Sequence, residues 1–222
     1  MIISYQNKYI FWKPTKVGGS SVLQALGAHC GPHDKVGEPG KLEGLPGYGQ
    51  NRNSKNGGTI SNHAPPEFLK KEVTKEEWKD FHKFTIVRNP WDEIVSRFWH
   101  DKTRGLVHIR TKNFEEIKTV FNNYVHKQPN VNARYYFENG KLIADYYMRF
   151  EHLADDYKTV CNKVGIPHEE LPRLKSGHRQ IQQPYNEYYI PESVNCVQQK
   201  FIETIEHFGY SFGSELEKEE RV

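Results

Sequence analysis

The sequence predicts an α/β fold, a parallel sheet flanked by helices, and three observations predict it. Short aromatic and β-branched runs, at residues 9–12 (YIFW) and 83–87 (KFTIV), read as buried strands. Each is followed by a turn and then by apolar residues at helical spacing. The chain has 222 residues, 13% of them aromatic, which suits a single domain over 1–222 with a core built largely of aromatic rings.

The first strand, turn and helix organise the rest. Residues 9–12 form the strand, and Val22, Leu23 and Leu26 give the helix its buried face. Between them lie Lys13, Lys16, Val17, Gly18, Gly19, Ser20 and Ser21. Glycines let backbone N–H groups approach a ligand closely. A helix start offers unpaired N–H donors and the positive end of its dipole. Lysine adds a mobile charge and serine a hydroxyl. Four features at one turn point to a site for an anion of phosphate type, against the plainer reading of a glycine turn before a serine-capped helix.

Residues 31–58 are rich in Gly, Pro, Asn and Lys and read as a flexible loop, either a flap near an acceptor or a surface excursion. Residues 59–62 read as a short strand ending at His63. Pro65 and Pro66 open a short helix, and Thr74 with Glu77 has capping-box spacing for another. His63 therefore stands at a strand end beside a helix start, where active-site groups gather in open α/β sheets.

The strand over 83–87 feeds Arg88, then Asn89 as a cap, Pro90 in the first turn, and a stripe of Ile94, Val95, Phe98 and Trp99. Arg88 offers a planar fork for a phosphate and Ser96 a hydroxyl, the alternative being a local Arg88–Asp92 pair. Asn113 caps a helix through His126. Asn139-Gly140 signals a turn, residues 142–150 a strand, and residues 152–164 a helix stopped by Gly165, with Cys161 in its buried face. Residues 171–189 form a polar basic loop. Pro191 opens a last helix that Gly209 stops, and residues 215–222 are a charged, frayed tail.

The loop over 15–21 (TKVGGSS) is not the common nucleotide-triphosphate loop, whose lysine follows its glycines. Its order resembles the 5′-phosphosulfate-binding loop of sulfotransferases that use 3′-phosphoadenosine 5′-phosphosulfate (PAPS), often P-K-T-G-G-T-S in carbohydrate-type members. Here the proline stands one place early, as Pro14. Val87-Arg88-Asn89-Pro90, with Ser96 eight residues after the arginine, is similar to the family's 3′-phosphate-binding segment. Asn62-His63-Ala64-Pro65 resembles its Gly-His-x-Pro stretch, and residues 149–153 and 188–212 resemble its later segments.

The resemblance implies a sulfotransferase fold related to P-loop nucleotide kinases. It implies transfer of a sulfuryl group from PAPS to a hydroxyl or amine of a small-molecule or oligosaccharide acceptor, leaving 3′,5′-adenosine bisphosphate (PAP). Lys16 and His63 would be catalytic. Lys13, Lys16, Val17, Gly18, Gly19, Ser20, Ser21, Arg88 and Ser96 would hold the donor, with Lys175 and Arg179 on a loop folded over it. No metal is called for, since side chains supply the cations. Two rivals stay open: a P-loop-type small-molecule kinase, and a non-catalytic module for polyanions or nucleic acid. The net charge of only +3 argues against a nucleic-acid partner. Three cysteines without a CxxC argue against a disulfide framework. With no membrane-length apolar run and no signal-type start, a cytoplasmic protein without a membrane partner is the expectation.

Overall fold

The computed structural model describes residues 1–37, 60–172 and 179–213. Residues 38–58 of the expected loop, Lys175 and the 215–222 tail lie outside them. In chain order the elements are β1 (Ile2–Ser4), β2 (Tyr9–Phe11), α1 (Gly19–Gly27), β3 (Lys35–Val36), α2 (Pro66–Glu72), α3 (Lys75–Asp80), β4 (His82–Val87), α4 (Pro90–Thr103), α5 (Phe114–Val125), α6 (Ala133–Tyr136), β5 (Phe137–Glu138), β6 (Lys141–Leu142), β7 (Tyr146–Arg149), α7 (Leu153–Val164), α8 (Pro191–Lys200) and α9 (Ile202–Phe208). They fall into two compact units, Met1–Val87 with Arg134–Leu174 and Arg88–Ala133 with Lys175–Val222.

The first unit is an α/β unit whose sheet has the order β3-β1-β2-β4-β7. It is mixed, which corrects the expectation of a parallel sheet. β2, β4 and β7 run parallel, but β1 pairs antiparallel with β2 and β3 antiparallel with β1. β1 is only three residues long, too short to show a period of two in the sequence. It is fixed from outside. Asp34 accepts from Ser4 Oγ at 2.9 Å, from Tyr5 N–H at 2.7 Å and from Gly31 N–H at 2.9 Å, which ties the first turn to the start of β3.

One face of the sheet buries Ile2, Tyr9, Phe11, Phe84, Ile86 and Met148 against Val22, Leu23 and Leu26 of α1 and Tyr157, Val160 and Cys161 of α7. Fully burying each large apolar side chain contributes about 1.5–3 kcal/mol, so this layer dominates the unit's stability. Trp12, one residue past β2, points the other way. Its ring stacks on Trp78 of α3 with centroids 6.3 Å apart, and its Nε1–H donates to the Tyr135 carbonyl at 2.8 Å.

The second unit is helical. Phe98 of α4 meets both its neighbour Trp99 and Phe121 of α5 edge-on, and the Tyr185–Tyr188 turn adds Tyr188 edge-on to Phe121. Trp99 Nε1–H donates to the Tyr188 hydroxyl at 3.2 Å, and Asn122 Nδ2–H to the Tyr188 carbonyl at 2.9 Å.

Three expected elements differ. Of the strand expected over 59–62, residue 59 lies outside the described residues, Ser61 forms an isolated bridge, and residues 62–63 turn, with Ala64 N–H donating to the Ser61 carbonyl at 3.0 Å. The strand expected over 142–150 is split: Leu142 ends the β5–β6 hairpin and only Tyr146–Arg149 joins the main sheet. Asn139 and Gly140 at the hairpin tip have φ of 52° and 71°, and two consecutive left-handed residues close so short a loop. The last helix breaks at Phe201, whose φ of −112° separates α8 from α9. Among the described residues no helix is long and apolar enough to cross a membrane.

Candidate functional site

The turn from β2 to α1 leaves the sheet beside β4. Trp12 N–H donates to the Phe84 carbonyl at 3.4 Å, and Thr85 Oγ1 donates to the Trp12 carbonyl at 2.9 Å. The chain then enters the left-handed region twice, at Lys16 with φ of 61° and at Gly18 with φ of 75°. For a lysine that conformation costs on the order of 1–2 kcal/mol, and such strain collects at binding turns. Gly18 is the N-cap of α1 and has no side chain with which to close its first N–H groups. No carboxylate stands in the first turn, so the positive end of the α1 dipole is not offset there.

The two glycines have packing reasons of their own. A Cβ on Gly18 would lie 2.8 Å from the Phe150 ring, and one on Gly19 only 2.2 Å from Cγ of Lys13. Lys13 runs over Gly19 with 3% of its surface exposed, and its ammonium donates to Ser20 Oγ at 3.4 Å. The cation thus sits inside the turn rather than on its rim. Val17 is fully buried in the main core. Ser21 is buried and its N–H donates to the Gly18 carbonyl at 3.3 Å. Lys16 and Ser20 are half-exposed.

His63 comes to this turn from a distant part of the chain. Its Nδ1 lies 2.8 Å from the Lys13 carbonyl oxygen, and its own carbonyl accepts from the Tyr135 hydroxyl at 2.7 Å. Burial raises the Tyr135 phenol above its usual value, despite the opposing charge of Arg134, so it stays a protonated donor. Lys13, Ser20 and His63 are therefore brought together. Tyr135 belongs to the same constellation, and sequence reading missed it: it is 72 residues from His63 and sits in no recognisable motif.

Arg88, Ser96 and Arg179 belong to the second unit. Asn89 caps α4 by accepting from Trp91 N–H at 3.0 Å, which fixes the start of the helix. Arg88 donates to Asp92 Oδ2 from Nε at 2.9 Å and from its terminal nitrogen at 2.6 Å, so the local pair that the spacing allowed is formed. Arg179 donates to the other oxygen of the same carboxylate at 3.3 Å, with its guanidinium 5.6 Å from the centre of the Tyr188 ring. Two arginines thus converge on Asp92, and half-exposed Ser96 follows one turn later on α4.

A protein of Archaeoglobus fulgidus, described as uncharacterized, is 27% identical over 116 residues, which is 51% of this chain and 92% of that protein. No protein-family model matches the chain. No solved structure matches it.

Chemically, the first unit offers an ammonium, hydroxyl and N–H donors and a histidine at one helix start. That set suits an anionic group with a proton acceptor beside it. The second unit offers two guanidinium groups facing one anion, the arrangement with which arginine grips carboxylate or phosphate. Among the described residues, no group of three or more His, Cys, Asp or Glu side chains could hold a metal ion.

Proposed function

We propose that the chain is a sulfotransferase that moves a sulfuryl group from PAPS to a hydroxyl or amine of an acceptor, of carbohydrate type by resemblance, and releases PAP. One observation carries the reading: a cationic turn at the start of α1 with a histidine ring hydrogen-bonded to its Lys13 carbonyl. The parallel run β2-β4-β7 is compatible with the P-loop nucleotide-kinase-like fold of that family.

The donor supplies an activated sulfuryl group. The residues of the chain supply position and charge, which dominate the related phosphoryl transfers. Lys13, Gly18, Gly19 and Ser20 hold the 5′ end with N–H, hydroxyl and ammonium donors. Lys16 neutralises the charge that grows on the leaving phosphate oxygen as its bond to sulfur breaks. His63 takes the proton of the acceptor as the new bond to sulfur forms. Arg88 and Ser96 grip the 3′-phosphate, which separates PAPS from ATP, and Arg179 adds a second guanidinium.

Isothermal titration calorimetry with PAP tests the reading directly. Saturable binding is expected. Its absence, or magnesium-dependent ATP hydrolysis in its place, overturns the assignment. So does salt-sensitive binding of heparin or DNA that PAP does not affect. Lys16→Ala is expected to abolish turnover with the circular dichroism spectrum unchanged. A radiolabelled-PAPS screen over glycans, phenols, alcohols and peptides then identifies the acceptor.

A further inference from the structure

We propose that Tyr135 and the main-chain carbonyl of Lys13 are the positioning groups for His63, and that together they hold its neutral ring as the Nδ1–H tautomer. The inference rests on the reading of His63 as the base, but its geometry stands apart from the reaction.

The Lys13 carbonyl oxygen, 2.8 Å from Nδ1, can only accept. Nδ1 therefore carries the proton, and in the neutral ring the lone pair belongs to Nε2. A base needs that lone pair directed by a fixed contact at its other nitrogen. The backbone of His63 is fixed as well. Its carbonyl accepts from Tyr135 Oη at 2.7 Å, and the Tyr135 carbonyl accepts from Trp12 Nε1–H at 2.8 Å.

Trp12 and Lys13 are neighbours in the chain, so the contacts close a ring from Trp12 through Tyr135 and His63 to Lys13. Lys13 also touches Ser20 through its ammonium. One residue thus meets the base with its main chain and the anion turn with its side chain. A shift of either moves the other.

The test is 15N-edited NMR of the imidazole in the chain at about pH 8.5, on the alkaline side of the ordinary histidine range. The wild type is expected to show His63 with its proton on Nδ1. Tyr135→Phe keeps the ring shape and removes only the hydroxyl. It is expected to populate the Nε2–H tautomer and to lower kcat by about tenfold, with the KM for PAPS within twofold, since the base and not donor binding is disturbed. A wild-type ring protonated on Nε2 overturns the proposal whatever the activity. So does a Tyr135→Phe chain that only melts earlier, with tautomer and kcat unchanged. The reading beneath it fails separately. If His63→Ala retains full turnover, His63 is not the base, while the tautomer result still stands or falls on its own spectrum.

Discussion

Gly19 is where the anion turn is least tolerant of change. An added Cβ would lie 2.2 Å from Cγ and 2.7 Å from Cδ of Lys13, far inside contact distance. The lysine stem must move, and Lys13 is nearly fully buried and bonded to both Ser20 and His63. Gly19→Ala is expected to cost about 1–3 kcal/mol in urea unfolding, as overpacking does. It is also expected to lower turnover by about 10²-fold, the cost of misplacing reactive groups by an ångström. Wild-type turnover in that variant would show that the Lys13 stem has no bearing on the site. Cys30 behaves in the opposite way, as an inert group. Burial pushes its thiol up to about 12, and the Asp34 charge adds to the effect. Raised that far, the thiol stays almost wholly protonated at pH 8, and the thiol is the unreactive form. Mass-spectrometric mapping of iodoacetamide labelling at pH 8 should find Cys30 nearly unmodified in the folded chain and modified in urea. Because the folded-state value is the raised one, Cys30 contributes its full stability below the ordinary thiol range. That contribution is lost as pH climbs through it toward 12.

The elements whose ends are written in side chains were legible from the sequence. Thr74 and Glu77 form both bonds of a capping box, Glu77 N–H to Thr74 Oγ1 at 3.1 Å and Thr74 N–H to Glu77 Oε2 at 2.7 Å. α3 has only six residues, too few to hold themselves as a helix, so the cap and the Trp78–Trp12 stack keep it in place. Thr74→Ala is expected to lower the unfolding free energy by about 1 kcal/mol, and Thr74→Ser to restore most of it. An Ala variant as stable as wild type would leave the stack as the whole anchor. Asn89 with Pro90, Asn113, and Gly165 with φ of 70° were legible for the same reason: each solves a local backbone problem with a local residue. What escaped the sequence is held by distant partners. β1 and β3 have no period and depend on Asp34. The turn before His63 depends on Lys13 and Tyr135, and the helix break at Phe201 carries no proline or glycine to announce it. The candidate site divides along the same line. Lys16, Gly18 and Gly19 stand in one motif, whereas the Tyr135 contact spans 72 residues and Asp92's second arginine spans 87.

On the scale of the whole molecule, the anion turn belongs to the first unit and Arg88 to the second. The anion turn continues from β2, and Arg88 is the residue after the end of β4. If the anion turn holds the 5′ end of the nucleotide and Arg88 its 3′-phosphate, the two contributions separate in a ligand series. PAP and 5′-AMP differ only in the 3′-phosphate. Arg88 already holds Asp92 with two bonds, so a phosphate competes with a carboxylate rather than with water alone. A charge-assisted bond is worth about 1.5–3 kcal/mol net, so calorimetry should find PAP bound roughly 10- to 150-fold more tightly than 5′-AMP. Arg88→Ala should weaken PAP by that factor and leave 5′-AMP nearly unchanged, bringing the ratio close to one. Lys16→Ala should weaken both alike. Were Arg88→Ala to weaken both ligands equally, or were the wild type not to prefer PAP, Arg88 would be a helix-start residue paired with Asp92 and nothing more. The assignment of the 3′-phosphate to it would then be withdrawn.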